Sequence, residues 1–119
     1  MNRILVVEDN PLIGMVIQTA LTDDGHNVEV RKNALEGLYL MKSGYVPDLL
    51  LTDLIMQGMG GRDLIQRMRN DNQLRHIPAV IITAAIPNRD NLPEANQYQG
   101  FLSKPFNIDD LLRTVNCII

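Results

Sequence analysis

The chain has 119 residues, which suffices for one domain with a buried core; 45% of its residues are hydrophobic and 21% are charged. Its formal net charge of -3 argues against a surface that holds nucleic acid, and its single cysteine cannot form an internal disulfide. No apolar stretch approaches the roughly 20 residues that a membrane span needs. We therefore expect a single domain over residues 1–119 that is cytoplasmic, binds no nucleic acid directly and does not enter a membrane.

Short apolar runs bounded by turn residues recur along the chain and predict five β-strands. In chain order they cover about residues 3–8, 27–30, 49–53, 79–83 and 100–103. The third run contains Leu49, Leu50 and Leu51 in succession, which is typical of a strand that is buried on both faces. We therefore place this strand at the centre of its sheet.

Segments with apolar residues at helical spacing follow the strands and predict five helices. In chain order the first two begin near Asn10 and Asn33, the third carries Leu64, Ile65 and Met68 after a glycine-rich loop at residues 58–61, and the last two begin near Leu92 and Asn107. The first, second and fifth begin at an asparagine that is suited to the N-cap, and Gly25 and Gly44 are suited to end the first two. Pro87 and Pro93 restrict the fourth helix to about two turns.

Strands that alternate with helices predict a parallel sheet, whose strands have their carboxyl ends at one edge, where such folds bind ligands. Polar side chains close four of the five strands, and they are Glu8, Asp9, Asp53, Thr83 and Lys104. Taken singly, each is commonly a turn residue, a cap or a solvated surface group. Their occurrence together at four strand ends predicts a functional site at this edge.

Three of these residues are acids, and their carboxylates would repel one another unless a cation joined them. Mg2+ prefers carboxylate oxygens and retained waters, so we expect a Mg2+ cofactor. Asp53 is the candidate nucleophile because it stands alone at the end of the most buried strand, and its attack on phosphorus would give an acyl phosphate. Lys104 would offer an ammonium, and Thr83 a hydroxyl, to the phosphoryl oxygens.

Four segments carry a more specific signal, and they read ILVVEDNP, DLLLTDLIMQGMGG, AVIITAA and GFLSKPF. Through them, essentially the whole chain resembles the response-regulator receiver domains of two-component signalling. The resemblance implies an α/β, flavodoxin-like, doubly wound parallel sheet of five strands in the order 2-1-3-4-5, with helices on both faces.

The resemblance also implies a role for each site residue. Asp53 corresponds to the phosphoacceptor, and Glu8 and Asp9 to the acids of the metal site. Asp53 itself and the backbone carbonyl of Ile55 complete the expected metal ligands. One departure is Gln57, which stands where the family usually has a proline.

Other implied roles concern the phosphoryl group and the response to it. Thr83 and Lys104 correspond to the pair that contacts the phosphoryl group. Thr83 and Phe101 correspond to the switch residues, with phenylalanine in place of the frequent tyrosine. The resemblance further implies a cis peptide before Pro105, and it places Ala85, together with Ile55, beside the path of the hydrolytic water.

The implied function is a phosphorylation-controlled signalling switch. It would accept a phosphoryl group from a phosphohistidine on a histidine kinase or a histidine phosphotransfer protein. It would then regulate an output partner or a fused domain, neither of which the sequence identifies. Because it would catalyse only its own phosphorylation and dephosphorylation, we expect that it is not an enzyme in the usual sense.

Three other functions fit parts of the pattern. A flavin-binding module needs a hydroxyl-rich phosphate loop after the first strand, but this chain has Glu8, Asp9 and Asn10 there. It also needs aromatic residues to stack on the flavin ring, and only 4% of the residues here are aromatic. An aspartyl phosphatase expects Asp-x-Asp at that place. A degenerate receiver that only binds a partner would not need the intact acid, hydroxyl and lysine set.

Overall fold

The computed structural model describes residues 2–85, 88 and 91–119. The strands are β1 (Arg3–Val7), β2 (Asn27–Arg31), β3 (Leu49–Asp53), β4 (Ala79–Thr83) and β5 (Gly100–Ser103). The α-helices are α1 (Pro11–Asp23), α2 (Ala34–Lys42), α3 (Gly61–Arg69) and α4 (Ile108–Asn116), and Ala95–Gln97 forms one turn of 3-10 helix. None of the helices in the described part of the chain is long and apolar enough to cross a membrane.

The five strands form one parallel sheet in the order β2-β1-β3-β4-β5, which confirms the expected topology. All five residues of β3 are buried, as the run of leucines predicted. The pairing register brings Val7 opposite Thr52 in the neighbouring strand. Further along the sheet, Thr83 lies opposite Ser103. The strand ends therefore lie close to one level, so that Glu8, which follows Val7, is next to Asp53.

Two hydrophobic cores lie on the two faces of the sheet, because successive residues of a strand point in opposite directions. In β1, Leu5 and Val7 pack into the core that α2 and α3 cover. Ile4 and Val6 pack into the opposite core, which α1 and α4 cover. Helices on both faces confirm the doubly wound arrangement.

Local signals in the sequence set the helix ends. The side-chain oxygen of Asn10 accepts the backbone N–H groups of Leu12 and Ile13, and Asn33 and Asn107 cap α2 and α4 in the same way. Gly25 and Gly44 follow the ends of α1 and α2 with φ values of 95° and 115°. Glycine adopts this left-handed region without the steric cost of a side chain, so both predicted ends are confirmed.

The predicted two-turn helix from Leu92 is wrong. The described residues of this segment form only the single 3-10 turn at Ala95–Gln97, and positions 86, 87, 89 and 90 lie outside the described residues. Leu92 precedes Pro93, and the residue before a proline is sterically disfavoured in the helical conformation. In addition, the carbonyl of Gln97 accepts the Nε–H of Arg69 at 2.9 Å, so a side chain of α3 binds this backbone.

The strand bounds differ slightly from those predicted. β1 ends at Val7 rather than Glu8, and β2 continues to Arg31 rather than ending at residue 30. The N–H of Glu8 donates to the carbonyl of Arg31 at 3.0 Å, which explains the longer second strand. Glu8 thus lies just beyond its strand, at the start of the loop to α1.

Candidate functional site

The side chain of Lys104 connects three strands at the carboxyl edge of the sheet. Its backbone N–H donates to the carbonyl of Thr83 at 2.9 Å, which fixes the residue after the end of β5. Its ammonium then lies 2.6 Å from Oε1 of Glu8 and 2.9 Å from Oδ2 of Asp53. The peptide between Lys104 and Pro105 is cis, as expected. One cation therefore bridges the acids that follow β1 and end β3.

Asp53 is held on both of its carboxylate oxygens. Only 8% of the residue is exposed. Oδ1 accepts the backbone N–H of Leu54 at 2.7 Å and, more weakly, that of Ile55 at 3.4 Å, while Oδ2 faces the ammonium of Lys104. These contacts fix the orientation of the Asp53 carboxylate, because each of its oxygens has a donor that holds it in place.

Glu8 is the more deeply buried acid, with 3% of the residue exposed. Its Oε2 accepts the N–H of Asn10 at 3.1 Å. Burial raises the pKa of the Glu8 carboxyl, and the charge of Asp53 adds to the rise, whereas the bonds from Lys104 and Asn10 oppose it. The same contacts act on the base: burial alone would lower the pKa of Lys104, but its bonds to both acids outweigh burial and raise it.

Three carboxylates meet at this edge and could hold a metal ion. One oxygen each of Glu8, Asp9 and Asp53 lie within 4.8 Å of one another, and Asp9 is exposed to solvent while the other two are buried. An all-oxygen donor set with an open side matches the preference of hard divalent cations that retain waters. The ammonium of Lys104 pairs with Glu8 and Asp53, and Asp9 adds a third carboxylate, so among the described residues the acids of this cluster outnumber the cation that pairs with them.

The remaining predicted residues lie on, or just after, strands β3, β4 and β5, and they have different surroundings. Thr83 is buried, and its hydroxyl oxygen accepts the N–H of Ala85 at 3.1 Å, so the hydroxyl proton is the group it can donate. Phe101 lies opposite Ile81 in the register and packs, partly buried, against the core under α2 and α3. Ile55, two residues after Asp53, is 57% exposed.

Some contributors to the site could not be found from residue type. The N–H groups of Asn10 and Leu54 hold Glu8 and Asp53, and every residue except proline carries such a group. Gly61 packs against the backbone of Asp53. In the sequence, the glycine-rich stretch 58–61 indicates only a loop, whereas in the structure Gly61 is the first residue of α3.

Comparison with known proteins gives a consistent result. A family model described as the response regulator receiver domain matches residues 4–116. Chemotaxis protein CheY-3 of Vibrio cholerae is 35% identical over 107 residues, which cover 87% of this chain and 81% of that protein. The probable transcriptional regulator ycf29 of Porphyra purpurea is 32% identical over 118 residues, which cover 98% of this chain and 56% of that protein. This chain thus spans about half the length of the ycf29 relatives.

Solved structures agree with the sequence comparison. The structure of response regulator protein TrrA from Thermotoga maritima, in complex with Mg2+-BeF, has a TM-score of 0.87 to this chain at 28% identity, and the match covers 100% of both chains. The chemotaxis protein CheY4 of Vibrio cholerae, crystallised at low pH, has a TM-score of 0.90 at 25% identity and covers 100% of this chain and 99% of its own.

Proposed function

Because this chain belongs to the response regulator receiver domain family, whose members are phosphorylation-controlled signalling switches, we propose that Asp53 is the residue it phosphorylates. The phosphoryl donor is a phosphohistidine on a histidine kinase or a histidine phosphotransfer protein. A carboxylate oxygen of Asp53 forms a bond to phosphorus as the bond from phosphorus to the imidazole nitrogen breaks. The imidazole leaves as the donor's neutral histidine after it takes up a proton.

The observation that carries this proposal is the contact of Lys104 with Asp53. The ammonium lies 2.9 Å from Oδ2, where negative charge accumulates on the phosphoryl oxygens during transfer. The backbone N–H of Leu54 holds the other oxygen, Oδ1, so the nucleophile needs little reorientation. The hydroxyl of Thr83, at the end of the adjacent strand, is the second donor proposed for the phosphoryl group.

Mg2+ is the cofactor that we propose for the acidic cluster. Glu8, Asp9, Asp53 and the carbonyl of Ile55 would hold it, directly or through water, and their oxygen atoms fit its preference. When bound, Mg2+ neutralises charge on the transferring phosphoryl group. The relative TrrA was crystallised with Mg2+-BeF, which supports a similar requirement here.

An apolar surface beside the site supports a protein as the phosphoryl donor. Leu12 and Val16 on α1 and Ile108 on α4 are large exposed hydrophobic residues, and they line a groove together with Phe106 and Lys104 itself. Exposed apolar patches next to a reactive group are typical of protein-binding surfaces. The proposal also includes an output partner or fused domain, a cytoplasmic location, and no enzymatic activity beyond the protein's own phosphorylation and dephosphorylation.

The test is phosphorylation with Mg2+ and a small phosphodonor, followed by intact mass and peptide mapping. We expect the wild type to gain one phosphoryl group and Asp53→Asn to gain none. Asp63→Asn, which removes an exposed acid from α3, is the matched control and should be phosphorylated normally. Modification that persists in Asp53→Asn would reject the assignment. If the protein were instead a flavin-binding module or an aspartyl phosphatase, the same sample would contain bound flavin or would hydrolyse a phosphate ester.

A further inference from the structure

We propose that Gly61 is a positioning residue for this site: by lacking a side chain, it allows the first turn of α3 to rest on the backbone of Asp53 and so fixes the orientation of its carboxylate. The inference rests on the proposed function, because it concerns the same carboxylate and its cation. Gly61 itself contributes no group that contacts the phosphoryl group or the metal ion. It acts through the main chain between Asp53 and Ile55.

The space around Gly61 is the first observation. A methyl group built on Gly61 would overlap the carbonyl oxygen of Asp53, and it would lie 3.1 Å from both the carbonyl carbon of Asp53 and Cα of Leu54. All three of these atoms belong to backbone, which cannot rotate away as a side chain can. The φ angle of Gly61 is not in the left-handed region, so the glycine is needed for its small size.

Hydrogen bonds hold the same segment against α3. The N–H of Gly61 donates to the carbonyl of Leu54 at 2.9 Å, which closes the loop between β3 and α3. From the other side, the hydroxyl of Thr52 donates to the carbonyl of Asp53 at 2.9 Å. The backbone of Asp53 and Leu54 is therefore fixed between its own strand and the first residue of α3.

This backbone carries the groups that orient the nucleophile. Oδ1 of Asp53 accepts the N–H groups of Leu54 and Ile55, and Oδ2 then faces Lys104. If a methyl group at position 61 displaces Leu54, these donors move and the carboxylate turns with them. The carbonyl of Ile55, which we propose as a metal ligand, belongs to the same segment and would move as well.

Two other glycines in the loop provide a graded comparison. A methyl group on Gly60 would lie 2.9 Å from the carbonyl oxygen of Leu54, which is a milder clash with the same segment. Gly58 has open space around it but a φ of 78°, so alanine there strains the loop without displacing Asp53. Gly25, at the opposite edge of the sheet, has the same combination of open space and positive φ, with a value of 95°.

The experiment is a titration of the purified protein with Mg2+ alone, by calorimetry and by the amide NMR signals of Leu54 and Ile55, under conditions where circular dichroism shows each variant to be folded. We expect Gly61→Ala to bind Mg2+ at least about tenfold more weakly, the scale seen when groups that orient metal ligands are removed. Gly60→Ala should shift the affinity in the same direction by less. Gly58→Ala and Gly25→Ala should lose stability but keep the affinity within about twofold.

A double-mutant cycle separates positioning from a general structural effect. If Gly61 acts through Asp53, the loss caused by Gly61→Ala should become smaller in an Asp53→Asn background, whereas independent effects would add. Should Gly61→Ala fail to fold, Gly60→Ala decides the question. The positioning role would be overturned if each folded variant among Gly60→Ala and Gly61→Ala bound Mg2+ with the affinity of the wild type. Absence of Mg2+ binding in the wild type would instead reject the proposed function.

Discussion

Replacement of Lys104 by methionine should destabilise the protein strongly, because the ammonium is the counter-ion of two buried carboxylates. It makes charge-assisted hydrogen bonds to Glu8 and Asp53, and each such bond contributes about 1.5 to 3 kcal/mol. The side chain of Lys104 is 13% exposed, so water replaces part of the lost interaction, and we take the lower value for each bond. The expected loss in the free energy of unfolding at pH 7 is about 3 kcal/mol, or about 10 °C in Tm.

The pH dependence of this loss follows from Glu8. Burial already raises the pKa of its carboxyl above 4.5, and removal of Lys104 takes away an opposing contact, so the folded-state pKa rises further. A carboxyl whose pKa is higher in the folded state stabilises the fold most below its unfolded-state pKa, and less as the pH rises through the folded-state pKa. The stability deficit of Lys104→Met should therefore be largest near pH 7 and should shrink as the pH falls towards 4.5.

The assay is urea unfolding of wild type and variant from pH 7 down to pH 4.5, with a chelator present so that no divalent cation replaces the ammonium. Lys42→Met is the matched control, because Lys42 pairs with Asp71 but is 59% exposed, and its loss should stay below about 1 kcal/mol. The reasoning is refuted if the two variants lose equal stability, or if the deficit of Lys104→Met does not decrease at lower pH.

Three further predictions concern other parts of the protein. Ile55→Asn combined with Ala85→Glu should speed hydrolysis of the phosphorylated protein about tenfold, because polar side chains beside the phosphoryl group can orient the attacking water. A transition-state hydrogen bond worth about 1.4 kcal/mol corresponds to this factor, and an unchanged decay rate would contradict the prediction. In the wild type, the raised pKa of Glu8 should lower the free energy of unfolding as the pH rises from 4.5 to 7. Glu8→Gln should remove this fall, and urea denaturation at several pH values measures it. Arg69→Ala should cost about 1 to 3 kcal/mol and accelerate amide hydrogen exchange in residues 95–99, since its guanidinium donates to a carbonyl and a side chain there; unaltered exchange would argue against this role.

The features that the sequence predicted well are those set by neighbouring residues or by the alternation of elements. Asn10, Asn33 and Asn107 cap helices through contacts within three residues, so residue type and position suffice. The strand order follows from the family motifs, and the strand ends align because the sheet is parallel. The approach of Lys104 to Asp53 was expected for the same reason.

The features that the sequence did not predict depend on contacts between distant residues or on backbone groups. Arg69 donates to the carbonyl of Gln97, which is 28 residues away, and this contact belongs to the segment where the predicted helix is absent. The donor to Glu8 is a main-chain N–H, which has no residue signature. The need for glycine at position 61 appears only when α3 is packed against the end of β3.

The ion pairs of Lys104 also affect how firmly β5 is held in the sheet. This strand lies at one edge of the sheet, pairs with β4 and has no fully buried residue. Lys104 follows it directly, and its ammonium pairs with the acid that follows β1 and the acid that ends β3, so it links this edge strand to the interior of the sheet. Any event that draws the ammonium to a new partner therefore also changes how firmly β5 is held at the edge of the sheet.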